Sequence, residues 1–210
     1  MADKELSWRF AEEFPDEPAP AQTARRHALE HGIEAVTAAT GAQLAVLVAT
    51  AAATRLVEIG TGAGVSGSWM LHAAPQATLT SIDLEPDHQV LARTAFTEAG
   101  AQPARLRLIA GRAAEVLPRL NDAAYDLVFV DADPGSVLDY VEHGLRIVRP
   151  GGVVAVAHAL WRGRVADPAQ RDELTAQFRA LQATIAESSA VVSAMGTAGD
   201  GLLQIVTRAD

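Results

Sequence analysis

The stretch Arg55-Leu-Val-Glu-Ile-Gly-Thr-Gly-Ala-Gly-Val-Ser66 decides the fold. Its apolar start reads as a buried strand, and Ser66-Gly-Ser-Trp-Met-Leu-His-Ala-Ala74 after it reads as a helix. Glycines at 60, 62 and 64 let the backbone turn sharply and approach a ligand without Cβ interference. Strand, glycine turn and helix in that order build the nucleotide-type sites of doubly wound α/β proteins. The spacing is G-x-G-x-G, not the G-x-G-x-x-G of dinucleotide binders. A purely structural turn is the competing reading.

Two acids refine the ligand. A helix N-terminus favours anions, yet Glu58 adds negative charge two residues before the first glycine. That combination suits a ligand with an adenosine and a positive charge, such as S-adenosylmethionine, better than NAD. Thr78-Leu-Thr-Ser-Ile-Asp83 alternates like a strand and ends in a carboxylate. At the end of a second strand, about 20 residues past the glycines, Asp83 is placed to accept both ribose hydroxyls. Its alternative role is to cap the helix that opens near Pro86.

Outward from this motif the pattern is regular. Candidate strands are 55–60, 78–83, 105–110, 125–131 and 152–158, with helical stretches at 65–73, 86–99, 112–120 and 135–148. The alternation implies a parallel sheet with helices on both faces. Pro150-Gly-Gly152 marks the turn into the fifth strand. Pro168 to Glu187 reads as one long helix, and two apolar runs, 190–195 and 201–207, flank Gly196-Thr-Ala-Gly-Asp-Gly201 as a hairpin. The expected architecture is a Rossmann-like, doubly wound seven-stranded sheet with one antiparallel strand. Before it come an acidic, proline-bearing arm with a short helix around Trp8 and Phe10, and helices at 21–30 and 38–53. The arm and the helix at 21–30 make an N-terminal extension (1–34) ahead of the main domain (35–210), which the helix at 38–53 opens.

Composition narrows the class. A chain of 210 residues suits one domain. No apolar run reaches membrane-spanning length, and the N-terminus lacks a secretory pattern. The absence of cysteine excludes disulfides, thiol nucleophiles and thiolate metal sites. A formal charge of −9 with no basic block argues against general nucleic-acid binding. A soluble cytoplasmic protein is expected.

An ordered set of segments carries a family resemblance. Val57-Glu-Ile-Gly-Thr-Gly-Ala-Gly-Val-Ser66, Ser81-Ile-Asp83, Tyr125-Asp-Leu-Val-Phe-Val-Asp-Ala-Asp133, Arg149-Pro-Gly-Gly152, Leu160-Trp-Arg-Gly-Arg-Val165 and Gly199-Asp-Gly201 are present. Over residues 35–208 the chain resembles the class I S-adenosylmethionine-dependent O-methyltransferases. The branch it is similar to holds catechol and caffeoyl-coenzyme A O-methyltransferases and small actinobacterial relatives. The resemblance implies a small-molecule acceptor, a homodimer, and roles by position. Backbone at Val36 and the side chain of Ser66 would hold the methionine carboxylate. Glu58, Gly60 and Thr61 match cofactor-turn positions, Asp83 would bind the ribose, and Ala113 would lie by the adenine. Asp131 would serve metal or substrate, with Asp133 near the cofactor's amino end. A solvated strand end with a helix cap is the alternative for that pair.

The chain also departs from its relatives. Metal-dependent members place Asp-Asn at the end of the fifth strand, where this chain has Ala157-His158, and a lysine where it has Pro134. Magnesium prefers several oxygen ligands in octahedral geometry, so no metal is expected. His158 then becomes either a general base near the reacting methyl group or a plug filling the vacated space. Asp131 is the other candidate for deprotonating the acceptor. Trp161 suits the pocket wall. Arg162 and Arg164 either grip an anionic acceptor or belong to a solvated loop. His27, His31, His72, His88 and His143 are read as surface or packing residues. The expected reaction is methyl transfer to an acceptor oxygen without magnesium. The rivals are a cofactor-binding protein with a decayed catalytic face, and a methyltransferase acting on nitrogen or on a protein.

Overall fold

The computed structural model describes residues 4–209. Seven strands form one sheet in the order β3-β2-β1-β4-β5-β7-β6. They are β1 (Arg55–Ile59), β2 (Thr78–Asp83), β3 (Leu106–Ala110), β4 (Tyr125–Val130), β5 (Val148–Val156), β6 (Val191–Gly196) and β7 (Leu202–Thr207). The first five run parallel, and β7 pairs antiparallel with both β5 and β6. Strand order reverses between β1 and β4. In such sheets the crevice beyond the carboxyl ends at that reversal is where ligands bind.

Among the described residues eight α-helices surround the sheet: α1 (Lys4–Glu13), α2 (Ala19–His31), α3 (Ala38–Thr50), α4 (Val65–Ala73), α5 (Pro86–Glu98), α6 (Ala113–Val116), α7 (Val137–Ile147) and α8 (Glu173–Glu187). Both sheet faces are covered. Leu56, Leu79, Leu127, Phe129 and Ala155 pack with α2–α5, while Val57, Val128, Val130, Val154 and Ile205 pack with α6–α8. Alternation along each strand sends successive side chains to opposite layers, so central strands are apolar throughout. Small residues let helices approach closely. A Cβ on Gly41 in α3 would sit 2.3 Å from the Trp69 indole of α4.

Three boundaries differ from expectation. β5 begins at Val148 rather than 152, and Pro150-Gly-Gly152 forms an irregularity inside it, where the register against β4 shifts between Tyr125 and Leu127. Gly151 takes φ +74° there. The helix expected over 112–120 is α6 plus a 3₁₀ turn, Leu117–Arg119, because Pro118 has no N–H to continue the α pattern. α8 starts at Glu173 rather than 168. Asp172 caps it, accepting from the Thr175 N–H at 3.0 Å, and residues before it form turns.

The amino end of the sheet is tied by one carboxylate. Asp126 Oδ2 accepts from the Thr54 and Arg55 N–H groups, each at 2.8 Å, and from the Thr54 hydroxyl at 3.0 Å. Its Oδ1 accepts from Arg149 Nε at 2.7 Å. Burial works against its charge, but these donors hold the carboxyl down to about 2. One side chain thus joins the starts of β1, β4 and β5.

Candidate active site

The glycine turn is built by φ values that L side chains avoid: +94° at Gly60, +50° at Gly62 and +95° at Gly64. A Cβ on Gly60 would stand 1.9 Å from the Asp131 carbonyl oxygen, so only glycine lets the turn lie against the end of β4. Above the turn opens a cavity of about 440 Å³. Val36, Gly60, Thr61, Ser66, Asp83, Ala113, Asp131 and Asp133 all line it.

Asp83 does two things at once. Its Oδ2 accepts from the Thr61 and Gly62 N–H groups at 2.8 and 2.9 Å, pinning the turn to β2. Its Oδ1 accepts from the Glu85 N–H at 2.9 Å; Glu85 is itself the N-cap of α5 and that helix has no side-chain cap bond, so Asp83 does not cap it. His88 Nδ1 lies 3.4 Å from Oδ1, and the ring lines the same cavity. The reading of His88 as mere surface or packing is therefore corrected. His88 sits in the first turn of α5, beside the end of β2.

Glu58 is the residue that departs most from its expected place. It is fully buried under the turn and does not line the cavity. The Ser66 and Ser81 hydroxyls each donate to it at 2.6 Å, and Thr61 Oγ1 lies 2.6 Å from Ser81 Oγ. Burial pushes its carboxyl from the ordinary 4.5 up to about 7, although both serines oppose the change and Asp131 and Asp83 add to it. Ser66 spends its single O–H on Glu58.

A second cavity, of about 290 Å³, shares Glu34, Asp131, Ala132 and Asp133 with the first. His158, Trp161 and Arg162 line it, as do Pro134 and Phe178. His158 Nε2 lies 3.4 Å from Asp131 Oδ1, and Nδ1 lies 3.8 Å from Asp200 Oδ2. Burial pushes the Asp131 carboxyl above its ordinary range; His158 opposes this and Glu34 reinforces it. His158, Trp161 and Arg162 hold φ of +54°, +49° and +55°, a costly conformation for residues with a Cβ. The Arg162 N–H bonds Asp200 Oδ2 at 2.5 Å, and the Leu160 and Ala159 N–H groups bond the Asp200 and Gly201 carbonyls. The 196–201 turn thus holds this strained loop over the cavity. Trp161 stacks on Phe178 at 5.3 Å between centroids, forming wall as expected.

Other side chains fall differently. Asp133 lines both cavities and also caps the 3₁₀ turn at Pro134–Ser136, accepting from Ser136 Oγ at 2.9 Å. Arg164 lies outside the cavities beside Asp172. Sequence reasoning missed Glu34 and Asp200 as cavity residues. Asp200 sits inside the quoted Gly199-Asp-Gly201 segment, so a signal existed; Glu34 sits in an irregular link with none.

The metal that related enzymes use does not fit these donors. Ala157 supplies no ligand, and Asp131 faces an imidazole rather than further oxygens. Among the described residues no three carboxylate or imidazole side chains converge as a metal site.

A glycine turn at the switch point, a strand-end carboxylate and a second cavity meeting the first at Asp131 define a Rossmann-like group-transfer enzyme. The chain belongs to the O-methyltransferase family, whose model matches residues 20–208. Such enzymes move a methyl group from S-adenosylmethionine to an oxygen. The chain is 47% identical over 203 residues, 96% of its length and 91% of the other, to a Mycobacterium marinum protein provisionally named an O-methyltransferase. A Mycobacterium tuberculosis relative is 46% identical with the same coverage. A crystal structure from Corynebacterium glutamicum superposes with TM-score 0.89 at 31% identity, covering 99% of both chains. The O-methyltransferase TomG of Streptomyces achromogenes, solved with S-adenosylmethionine, superposes with TM-score 0.84 at 28% identity and full coverage of both.

Proposed function

We propose that this S-adenosylmethionine-dependent O-methyltransferase methylates a hydroxyl of a small molecule without magnesium, using His158 and Asp131 to manage the acceptor's proton. The observation that carries the reading is the meeting of the two cavities at Asp131, with His158 Nε2 3.4 Å from its carboxylate. Bound S-adenosylmethionine supplies a methyl group already activated by the sulfonium, so no covalent enzyme intermediate is needed. The glycine turn, Asp83 and Ala113 hold and orient the cofactor in the larger cavity. Asp131 stands where the acceptor hydroxyl must approach the methyl carbon, and the protein's main contribution is alignment and exclusion of water. His158 Nε2 takes the hydroxyl proton as the oxygen attacks, and Asp131 steadies the imidazolium that results. The residue types at positions 157 and 158 support a reaction without a hard cation.

The test is a radiolabelled methyl-transfer screen over phenols, catechols and acyl thioesters, with chelator or with added magnesium. Transfer that survives the chelator supports the reading. Transfer abolished by chelator and restored by magnesium overturns the metal part. Tight cofactor binding with no transfer to any acceptor favours a decayed catalytic face instead.

We also propose a homodimer. Leu6, Trp8, Phe10 and Phe14 on and beside α1 are exposed, as are Leu29 of α2 and Val46 of α3, which supports a partner surface there. Sedimentation showing only monomer at micromolar concentration would overturn this. No described helix is long and apolar enough to cross a membrane. A cytoplasmic location and a lack of nucleic-acid partners complete the proposal, supported by the cysteine-free composition and the charge of −9.

A further inference from the structure

The link between α2 and α3 walls part of the cofactor cavity yet has no secondary structure over residues 33–37. Its Glu34, Ala35 and Val36 line that cavity and also a third one, of about 220 Å³, shared with His158 and Asp200. Asp83 and Ala113, in contrast, line the first cavity alone. Val36 therefore stands where the chambers meet, at the end of the cofactor cavity away from Asp83. The sulfonium has to reach the second chamber for its methyl group to be transferred, so the amino-acid chain on the sulfur belongs at this end.

Among the described residues a single side chain bonds the backbone of 33–36. Arg25 of α2 donates from Nη2 to the Val36 carbonyl at 2.8 Å. Its guanidinium is in turn gripped by Glu17, from the segment between α1 and α2: Nη2 donates to Oε1 at 2.7 Å and Nε to Oε2 at 2.9 Å. Glu17 Oε1 also accepts from the Trp69 Nε1–H of α4 at 3.3 Å, and that indole is wedged against Gly41 of α3. The pair is well shielded, with 28% of the Arg25 side chain and 13% of the Glu17 side chain exposed. A two-bond Arg–carboxylate pair fixes the plane of the guanidinium, and shielding keeps water from competing for it. Neither residue lines any of the three cavities. Resting on the methyl-transfer reading above, we infer that Arg25, oriented by Glu17, is a positioning residue for the amino-acid end of S-adenosylmethionine. It sets the Val36 backbone at that end of the cavity and touches no part of the cofactor itself.

Two thioethers separate the ends of the cofactor. S-adenosylhomocysteine carries the amino-acid chain, and methylthioadenosine has a methyl group in its place. Both are titrated calorimetrically into the full chain and its variants, methylthioadenosine also by displacement of S-adenosylhomocysteine. Arg25→Gln should weaken S-adenosylhomocysteine about tenfold or more, while methylthioadenosine changes by less than about twofold. Glu17→Gln leaves Arg25 its bond to Val36 but frees its plane, and should weaken S-adenosylhomocysteine about threefold with the same selectivity. Arg25→Lys keeps the charge but not the fork, and should recover little of the loss. Selectivity is the readout that a merely structural pair would not move, since looser packing weakens both thioethers alike or lowers only the melting temperature. An unchanged constant for S-adenosylhomocysteine in Arg25→Gln, or equal losses for the two thioethers, overturns the inference. If Arg25→Gln does not fold, Glu17→Gln and Arg25→Lys decide by the same comparison. Failure of the unaltered chain to bind S-adenosylhomocysteine would instead overturn the methyl-transfer reading.

Discussion

Glu58 offers the sharpest test of the site's electrostatics. Its carboxyl is displaced from 4.5 to about 7 because it sits in the protein interior beneath the glycine turn. A group with a raised folded-state value contributes stability that is fully present below its unfolded value and lost as pH rises through the folded one. The window therefore runs from about pH 4.5 to about pH 7, and the full loss is about 3 kcal/mol. Glu58→Gln keeps the shape, accepts from one serine through its carbonyl oxygen and donates to the other through its amide nitrogen, but cannot ionise. Urea unfolding of the cofactor-free protein and of the variant, at about pH 5 and about pH 8, isolates the effect from all other carboxylates. The wild type should lose roughly 2–3 kcal/mol relative to the variant across that interval. If the difference between the two proteins is the same at both pH values, Glu58 is not held as described. A ligand with positive charge in the cavity above would then owe nothing to it.

Asp83→Ala removes the acceptor of the Thr61 and Gly62 N–H groups along with any contact to a ribose. Affinity for S-adenosylmethionine should fall about tenfold or more, and an unchanged calorimetric constant would exclude the assigned role. Asp126→Ala should cost roughly 3 kcal/mol of stability, since it strands Arg149 and three other donors. Because its folded value is depressed to about 2, that advantage is present above the ordinary 3.8 and vanishes as pH falls through about 2, which acid unfolding will reveal. His158→Ala should lower turnover about a hundredfold or more with little change in cofactor affinity if the imidazole is the base. A loss confined to thermal stability would mark it as a plug.

Much of this fold was legible because its signals are local. The apolar strands, the glycines at 60, 62 and 64, and the acids at 83, 131 and 133 each announce themselves within a few residues. The sheet edge was legible too, since Gly196–Gly201 between apolar runs can only be a reversal. What was not legible depends on contacts distant in sequence. Nothing near Ser66 says that its hydroxyl faces Glu58 rather than a ligand. Nothing near Glu34 says that it meets Asp131, about a hundred residues away, in one wall. The start of α8 slipped to 173 because Asp172, not Pro168, supplies the cap, and either residue type opens helices. Pro150-Gly-Gly152 was read as the turn into the fifth strand, yet it is an irregularity inside that strand, between the paired residues Val148 and Val153.

The contact between Gly60 and the Asp131 carbonyl has a consequence for how such enzymes diversify. Floor of one chamber and wall of the other meet at this close approach, so on the proposed reading the donor's methyl group and Asp131 are held in register by one joint. A lineage that takes up a new acceptor must leave this joint alone and remodel what surrounds it. The loop at 158–167, the 196–201 turn and the N-terminal helices are separate pieces of chain, each replaceable without disturbing the joint. Divergence among such relatives should therefore gather on those three segments while the joint stays silent, and a library built to change the acceptor should be drawn from them alone.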